Sequence, residues 1–146
     1  MPIRILALLL VFFFSFAGPV CSAEKTVIAS NGASKGMIEN TLAAVTLAAT
    51  TEIDYLELHV VMTADDELIV FRDLTLNRLT NVARIFPGRN RADGGFYPID
   101  FSINEIRQLR LQNVFESGNS SLSLPIPTLD EELSLIRLLE QRLKKQ

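Results

Sequence analysis

Polar and apolar residues alternate along residues 53–73, which predicts two short strands joined by a tight turn. Successive side chains of a strand point to opposite faces, so the first strand, residues 54–60, has two distinct faces. One face carries Tyr55, Glu57 and His59. The second strand is predicted at residues 67–71, after an acidic turn, and it leads into Arg72 and Asp73. Any chemistry of the chain is therefore expected where these two strands end.

A short run with β-branched residues at 26–29 precedes this pair and predicts an earlier strand. Asn40 and Thr41 then open a predicted helix that extends to about Thr50, with apolar residues at helical spacing. Strand, helix and strand in this order form a βαβ unit, in which the two strands are parallel. The alanines of the helix are interpreted as packing residues that let it lie close to the sheet.

Residues 74–101 show no period, because prolines and glycine pairs interrupt it. A connection of this length is either a functional insertion or loosely ordered. Its arginines are either solvated or placed on a rim where they attract an anionic substrate. They are Arg78, Arg84, Arg89 and Arg91.

Capping boxes predict the starts of two further helices, because each pairs a hydroxyl side chain with a glutamate three residues later. Ser-x-x-Glu at residues 102–105 opens a helix that is predicted to run to Leu111. Thr-x-x-Glu at residues 128–131 opens the last helix. Its apolar stripe consists of Leu129, Leu133, Ile136, Leu139 and Leu143.

Residues 1–23 have the features of a secretory signal peptide, since Arg4 precedes an apolar run that ends in the small residues of 21–23. The apolar run is shorter than the ~20 residues of a membrane span; an uncleaved anchor is the alternative. We therefore expect a periplasmic or secreted protein that meets a membrane only through this leader. Cleavage removes the only cysteine, so disulfides have no part in the prediction.

The charge balance excludes one class of partner. The chain has 14 Lys and Arg residues against 17 Asp and Glu, a net charge of −3, and no basic cluster. Nucleic-acid binding depends on a positive patch that neutralises phosphates, so no nucleic-acid partner is expected. The length of 146 residues is sufficient for one domain with a core.

Several motifs taken together resemble the glycerophosphodiester phosphodiesterase family, and its secreted bacterial members in particular. Glu-Asn-Thr-Leu-Ala-Ala at residues 39–44 matches a family motif in full. Ser-Asn-Gly-Ala-Ser at 30–34 corresponds to the family's His-Arg-Gly-Ala-Ser, and Asp-Tyr-Leu-Glu-Leu-His-Val at 54–60 to Asp-Tyr-Leu-Glu-Leu-Asp-Val. Thr-Ala-Asp at 63–65 and Pro-Thr-Leu-Asp-Glu at 127–131 also resemble family patterns.

The resemblance implies a TIM barrel that hydrolyses glycerophosphodiesters to glycerol 3-phosphate and an alcohol, in lipid and glycerol metabolism. It also implies a divalent cation, calcium or magnesium, held by carboxylates, with two histidines for acid–base work and an arginine on the phosphate. Ser30 and Arg72 occupy the two histidine positions, and Asn31 occupies the arginine position. Glu57 keeps a metal carboxylate, whereas His59 replaces its partner aspartate.

These replacements weaken the implied chemistry. Arg72 cannot exchange a proton near neutral pH, because the pKa of arginine lies above about 12. Ser30 is a poor base without an activator, and Asn31 brings neither charge nor a bidentate fork to a phosphate. His59 offers a nitrogen that suits zinc better than the hard cations, which need several oxygen ligands. Glu57 is either a retained metal ligand or a carboxylate held by Arg72. Arg72 in turn is a surface residue, an ion-paired residue with Asp73 or Glu57 as its partner, or a contact for phosphate.

A TIM barrel typically needs about 250 residues, so the sequence predicts an α/β fold that is the N-terminal portion of a barrel and incomplete. Residues 24–146 are interpreted as a partial phosphodiesterase domain with an irregular insertion at 74–101. We expect a phosphodiesterase-family chain that is inactive alone and binds its cation weakly or not at all. The alternatives are a non-catalytic module that binds a glycerophosphodiester-like molecule, and an assembly module that self-associates through open strand edges.

Overall fold

The computed structural model describes residues 25–112 and 123–143. The predicted leader at 1–23 lies outside the described residues, so its processing stays a prediction. In chain order the described residues form β1 (Ile28–Ser30), α1 (Leu42–Ala48), β2 (Tyr55–Glu57), β3 (Val60–Met62), β4 (Leu68–Val70), α2 (Val82–Ile85), a 3-10 helix (Pro98–Asp100), α3 (Ile103–Ile106) and α4 (Leu129–Leu143).

The predicted βαβ unit is confirmed in β1, α1 and β2. The two strands pair in parallel, with Ile28 opposite Tyr55 and Ser30 opposite Glu57. The hydroxyl of Thr41 accepts a hydrogen bond from the Ala44 N–H over 3.1 Å, which caps the start of α1. The alanines at 44 and 48 are buried, as expected of residues that let a helix approach a sheet closely.

The predicted pair of strands around the acidic turn is a hairpin, but the first predicted strand is divided. β2 ends at Glu57, and a separate strand, β3, pairs antiparallel with β4. Thr63 is buried in the turn, and its hydroxyl donates to Asp65 over 2.7 Å. Asp65 also accepts the Ile103 N–H over 2.9 Å, which ties the hairpin to the start of α3.

The segment 74–101 has an irregular backbone but it is not loosely ordered. Its apolar side chains supply much of the core: Leu76, Leu79, Val82, Phe96 and Phe101 are buried. The Phe101 ring lies 5.4 Å from Phe86 and 6.4 Å from Phe96, measured between ring centroids. The interpretation of this segment as loosely ordered is therefore wrong.

Both predicted capping boxes are present. The Glu105 side chain accepts the Ser102 N–H, and the Glu131 side chain accepts the Thr128 N–H, each over 2.9 Å. α4 runs over the expected residues, but α3 ends at Ile106 rather than Leu111. Leu111 instead forms β-bridges with Thr80 and Leu124, because the chain there pairs with two distant segments.

The burial of α4 differs from its sequence pattern. The predicted apolar stripe is half-buried or exposed, whereas Glu132 is 0% exposed. Both carboxylate oxygens of Glu132 lack a hydrogen-bond partner, and burial raises the pKa of this carboxyl to about 7. α4 packs against α1 and β4, neither of which carries a titratable side chain.

The described residues contain two separate two-stranded sheets and no closed barrel. Within the part of the chain that the structure describes, no helix has the length and apolar character that crossing a membrane requires.

Candidate functional site

The C-terminal ends of β1 and β2 bring together two of the predicted site residues. Parallel pairing places Ser30 directly opposite Glu57. The Ser30 hydroxyl donates a short hydrogen bond to the Glu57 carboxylate oxygen Oε2. The carboxylate is therefore held by the serine that occupies the family's first histidine position.

Asn31 supports this pair from the turn that follows β1. Its side-chain Nδ2 lies 3.4 Å from the Ser30 hydroxyl oxygen, and its backbone N–H donates to the Glu57 carbonyl over 3.3 Å. Asn31 has a φ of 59°, a left-handed conformation that asparagine tolerates better than most residues. Gly32 follows with a φ of 75°, and a Cβ there would lie 2.8 Å from Ala44. The turn therefore requires glycine at 32, and its left-handed backbone at 31 favours asparagine there.

Asn40 is a buried polar residue at this site that the sequence interpretation assigned only to a helix start. It is 2% exposed, its φ is 54°, and its backbone N–H donates to the Asn31 carbonyl over 3.1 Å. Both polar atoms of its side-chain amide, together with Oδ1 of Asn31, lack a hydrogen-bond partner. The only sequence signal for this position was the family motif that contains it.

His59 is half-buried beyond the end of β2, and its Nδ1 atom is buried without a hydrogen-bond partner. It lies between β2 and β3, where its carbonyl accepts the Phe71 N–H over 2.9 Å. Among the described residues no three His, Cys, Asp or Glu side chains form a group that could hold a metal ion. Glu57 and His59 therefore do not fit the site of a hard cation, which takes six or more oxygen ligands.

Arg72 is exposed and forms no ion pair within the described residues. Its two predicted partners are both engaged elsewhere, since Glu57 accepts the Ser30 hydroxyl and Asp73 pairs with Arg78 at 2.6 Å. Arg78 also contacts Glu39 at 2.7 Å. Of the two structural interpretations of Arg72, the structure agrees with a surface residue and not with one that is ion-paired to Glu57 or Asp73.

Two further arginines of the 74–101 segment also form ion pairs with neighbouring carboxylates. Arg89 forms an ion pair with Glu105, and its guanidinium lies 4.5 Å from the centroid of the Phe101 ring. Arg91 contacts Asp100 at 2.7 Å and holds the pKa of that carboxyl below its ordinary value. These contacts fasten the segment to itself and to α3, so Arg89 and Arg91 are not positioned as free anion-binding groups.

Solved structures with the same fold are barrel phosphodiesterases. A glycerophosphodiester phosphodiesterase from Agrobacterium tumefaciens aligns over 80% of this chain and 44% of its own, with a TM-score of 0.63 and 29% identity. An Oleispira antarctica phosphodiesterase, solved in complex with the product sn-glycerol-3-phosphate, aligns over 79% of this chain with a TM-score of 0.57 and 26% identity. The predicted fold class, an incomplete portion of a TIM barrel, is confirmed.

Sequence comparison leads to the same class. The model of the glycerophosphoryl diester phosphodiesterase family matches residues 31–145. A glycerophosphodiester phosphodiesterase of Treponema pallidum is 36% identical over 86% of this chain and 39% of its own length. One from Haemophilus influenzae is 34% identical over 90% of this chain and 40% of its own length. The chain belongs to the glycerophosphodiester phosphodiesterase family and spans about two fifths of the length of these relatives.

Proposed function

We propose that this chain is a phosphodiesterase-family protein that does not hydrolyse phosphodiesters on its own. The observation that carries this proposal is the Ser30–Glu57 hydrogen bond at the ends of β1 and β2. A serine at the first histidine position engages the carboxylate that the resemblance assigns to the metal, so one substitution affects both proton transfer and cation binding.

Proton transfer is the first function that the rim lacks. Phosphodiester cleavage needs a proton removed from the nucleophile and one delivered to the leaving oxygen, and each such group contributes roughly 10²–10⁴ in rate. Arginine is not a general acid–base group near neutral pH, and the Ser30 hydroxyl is bonded to Glu57 rather than to a histidine. The chain has one histidine, His59, with one ring nitrogen buried. A pair of titrating groups is therefore not available from the described rim.

Cation binding is the second function that the rim lacks. Members of the family are generally metal-dependent, and a hard cation in such a site would polarise the phosphoryl group and stabilise developing charge. Of the two predicted ligands, Glu57 supplies a carboxylate and His59 an imidazole, and among the described residues no three His, Cys, Asp or Glu side chains form a group that could hold a metal ion. We infer that calcium and magnesium bind weakly or not at all.

The substrate class and compartment follow from the family and the leader. The related Oleispira protein was solved with sn-glycerol-3-phosphate, which supports a glycerophosphodiester as the ancestral substrate and a relation to lipid and glycerol metabolism. The apolar leader at 1–23 supports a periplasmic or secreted location.

The test is hydrolysis of glycerophosphocholine by the purified chain in calcium or magnesium, followed as released glycerol 3-phosphate. The Haemophilus influenzae relative serves as the positive control for the assay. We expect release no faster than in protein-free buffer. Metal-dependent release that disappears in Glu57→Gln would overturn the proposal.

A second candidate function, non-catalytic binding of a phosphodiester, is favoured by one observation. Arg72 is exposed and has no carboxylate partner among the described residues. A phosphate could be contacted by this guanidinium. Isothermal titration with glycerophosphocholine should then give saturable heat that is lost in Arg72→Ala and retained in Arg84→Ala. An absence of heat with the unsubstituted chain would exclude this candidate.

A further inference from the structure

α4 buries a carboxylate where its sequence pattern predicts leucines. Glu132 is 0% exposed and is the only buried residue of this helix, whereas Leu133 and Ile136 of the apolar stripe are half-buried. Neither carboxylate oxygen of Glu132 has a hydrogen-bond partner. Burying an ionised carboxylate without a partner is costly, so this position of α4 is stable when the group carries a proton.

The elements packed against Glu132 supply no charge that could balance an ionised carboxylate. α4 packs against α1 and β4, and neither of these elements contains a titratable side chain. The charged side chains that border α1 and β4, or that lie near Glu132 on α4, are exposed or paired with an arginine. They are Glu39, Glu67, Arg72, Asp130, Glu131 and Arg137.

The first turn of α4 is bonded to β4. The Val70 N–H donates to the Pro127 carbonyl over 2.9 Å, and Thr128 forms a β-bridge with Ile69. Glu132 belongs to the same turn, because its N–H donates to the Thr128 carbonyl over 3.2 Å. A movement that brings the Glu132 carboxylate into water therefore also separates this turn from β4.

We propose that α4 is a pH-sensitive element, which docks on α1 and β4 while Glu132 is protonated and is released when Glu132 ionises. In the released state the carboxylate is hydrated, and the apolar side chains of α1 and β4 lose contact with the helix. The Val70 N–H loses its acceptor, so release also loosens the strand that leads to Arg72. This proposal goes beyond the loss of hydrolysis and does not depend on it.

The direction of the pH dependence follows from the position of Glu132. Burial raises the pKa of this carboxyl to about 7 in the docked helix, and hydration after release returns it to the ordinary 4.5. The docked helix therefore binds the proton more tightly. Release is least favoured below pH 4.5 and becomes more favoured as the pH rises through 7. Between pH 6 and pH 8 the equilibrium constant for release should rise about tenfold.

The test is amide hydrogen exchange of the full chain, measured for each residue by NMR at pH 6 and pH 8 and corrected for intrinsic exchange rates. We expect the interior amides of α4 and the Val70 amide to share one protection factor, which falls about tenfold between these two pH values. At pH 8 it should lie below the protection factor of the Leu76 amide. That amide donates to the Phe96 carbonyl over 2.8 Å in the core, so its exchange reports on global unfolding.

Two substitutions of Glu132 test whether its charge causes the release. Glu132→Leu removes the buried polar group, so α4 should be at least as protected at pH 8 as it is at pH 6 in the unsubstituted chain. Glu132→Gln cannot ionise and should abolish the tenfold fall, whatever its effect on overall stability. Glu140→Gln, at an exposed position of the same helix, is the matched control and should retain the fall.

Three results would overturn the proposal. One is an α4 protection factor that is equal at pH 6 and pH 8 in the unsubstituted chain. Another is a tenfold fall that persists when Glu132 is substituted; if Glu132→Gln does not fold, Glu132→Leu alone decides this point. The third is equal protection of α4 and Leu76 at pH 8, because the helix would then open only when the whole domain unfolds.

Discussion

The segment 74–101 and the rim at the ends of β1 and β2 differ in how their polar groups are satisfied. In the segment, Arg89 and Arg91 are ion-paired, and the Phe101 ring lies buried beneath the Arg89 guanidinium. At the rim, amide atoms of Asn31 and Asn40 lack partners, and one carboxylate is held by a hydroxyl. The segment has the well-satisfied interactions of a structural element. The rim has buried polar atoms with no protein partner among the described residues, which is uncommon for buried groups.

This difference separates the residues that determine the fold from those that determine the reaction. Family motifs that cap helices and form turns are present with their hydrogen bonds, as at Thr41, Asp65 and Glu131. Four of the five positions that the resemblance assigns to chemistry carry other residues, and only Glu57 keeps the family carboxylate. We conclude that the scaffold of a phosphodiesterase persists in this chain independently of its active-site side chains.

The largest expected effect tests whether the segment carries the stability. Phe101→Ala removes a fully buried ring from the core and should lower the free energy of unfolding by about 3–5 kcal/mol. Tyr55→Ala, at the exposed face of β2, is the matched control and should change it by less than about 0.5 kcal/mol. Urea unfolding followed by circular dichroism measures both. Equal losses would remove the distinction between the two regions.

The next effect concerns the one buried acid of α4. Glu132 has a folded-state pKa of about 7, raised by burial above the ordinary 4.5. The folded state therefore binds the proton more tightly, so stability is full below pH 4.5 and falls as the pH rises through 7. Between pH 5 and 8 the free energy of unfolding should fall by about 2–3 kcal/mol.

Glu132→Gln should flatten this fall, because the amide does not ionise, and Glu140→Gln, an exposed position of the same helix, should leave it unchanged. Urea titrations at several pH values provide the measurement. If the free energy of unfolding still falls with pH in Glu132→Gln, other groups cause the pH dependence and the burial of Glu132 does not.

A smaller effect is expected for Arg78, which bridges Asp73 and Glu39 at the junction of the segment and the rim. Arg78→Ala should lower the free energy of unfolding by about 0.5–1 kcal/mol, since the pairs are partly exposed. Arg72→Ala should have almost no effect, because Arg72 pairs with no described carboxylate. If the two variants lose the same amount, the ion pairs of Arg78 do not contribute as the structure indicates.

The smallest effect is expected at the Ser30–Glu57 pair itself. Ser30→Ala removes the donor at an exposed strand end and should change the free energy of unfolding by no more than about 0.5 kcal/mol. Thermal unfolding measures the change in stability. Ser34→Ala is the control, because Ser34 is an exposed serine outside the pair. A loss of several kcal/mol would show that the rim pair is structural and not a remnant of a site.

The sequence predicted the local elements and missed the non-local packing. The βαβ unit, the hairpin and both capping boxes follow from periodicity and from short motifs whose partners lie within a few residues. The core role of Phe96 and Phe101 depends on contacts across an irregular segment that has no period to detect. The end of α3 at Ile106 depends on isolated bridges from Leu111 to Thr80 and Leu124, which lie in distant segments of the chain.

The candidate site shows the same limit. Alternation correctly placed Tyr55 and Glu57 on one exposed face of β2. The Ser30–Glu57 bond could not be foreseen, because it depends on the register of two strands separated by a helix. Glu132 is the most buried residue of α4. The sequence did not predict this, because the apolar stripe of the helix indicated that its leucines and isoleucine would be the buried residues. The roles of Ser30, Asn31, Glu57, His59 and Arg72 in any reaction stay predictions.

We propose that Glu57 bonds Ser30 and no longer helps to hold a cation. Isothermal titration calorimetry with calcium and with magnesium measures this loss of cation binding. We expect no saturable heat with either ion for the unsubstituted chain and no change in its melting temperature. Stoichiometric binding of either ion that is abolished by Glu57→Gln would show that Glu57 still holds a cation.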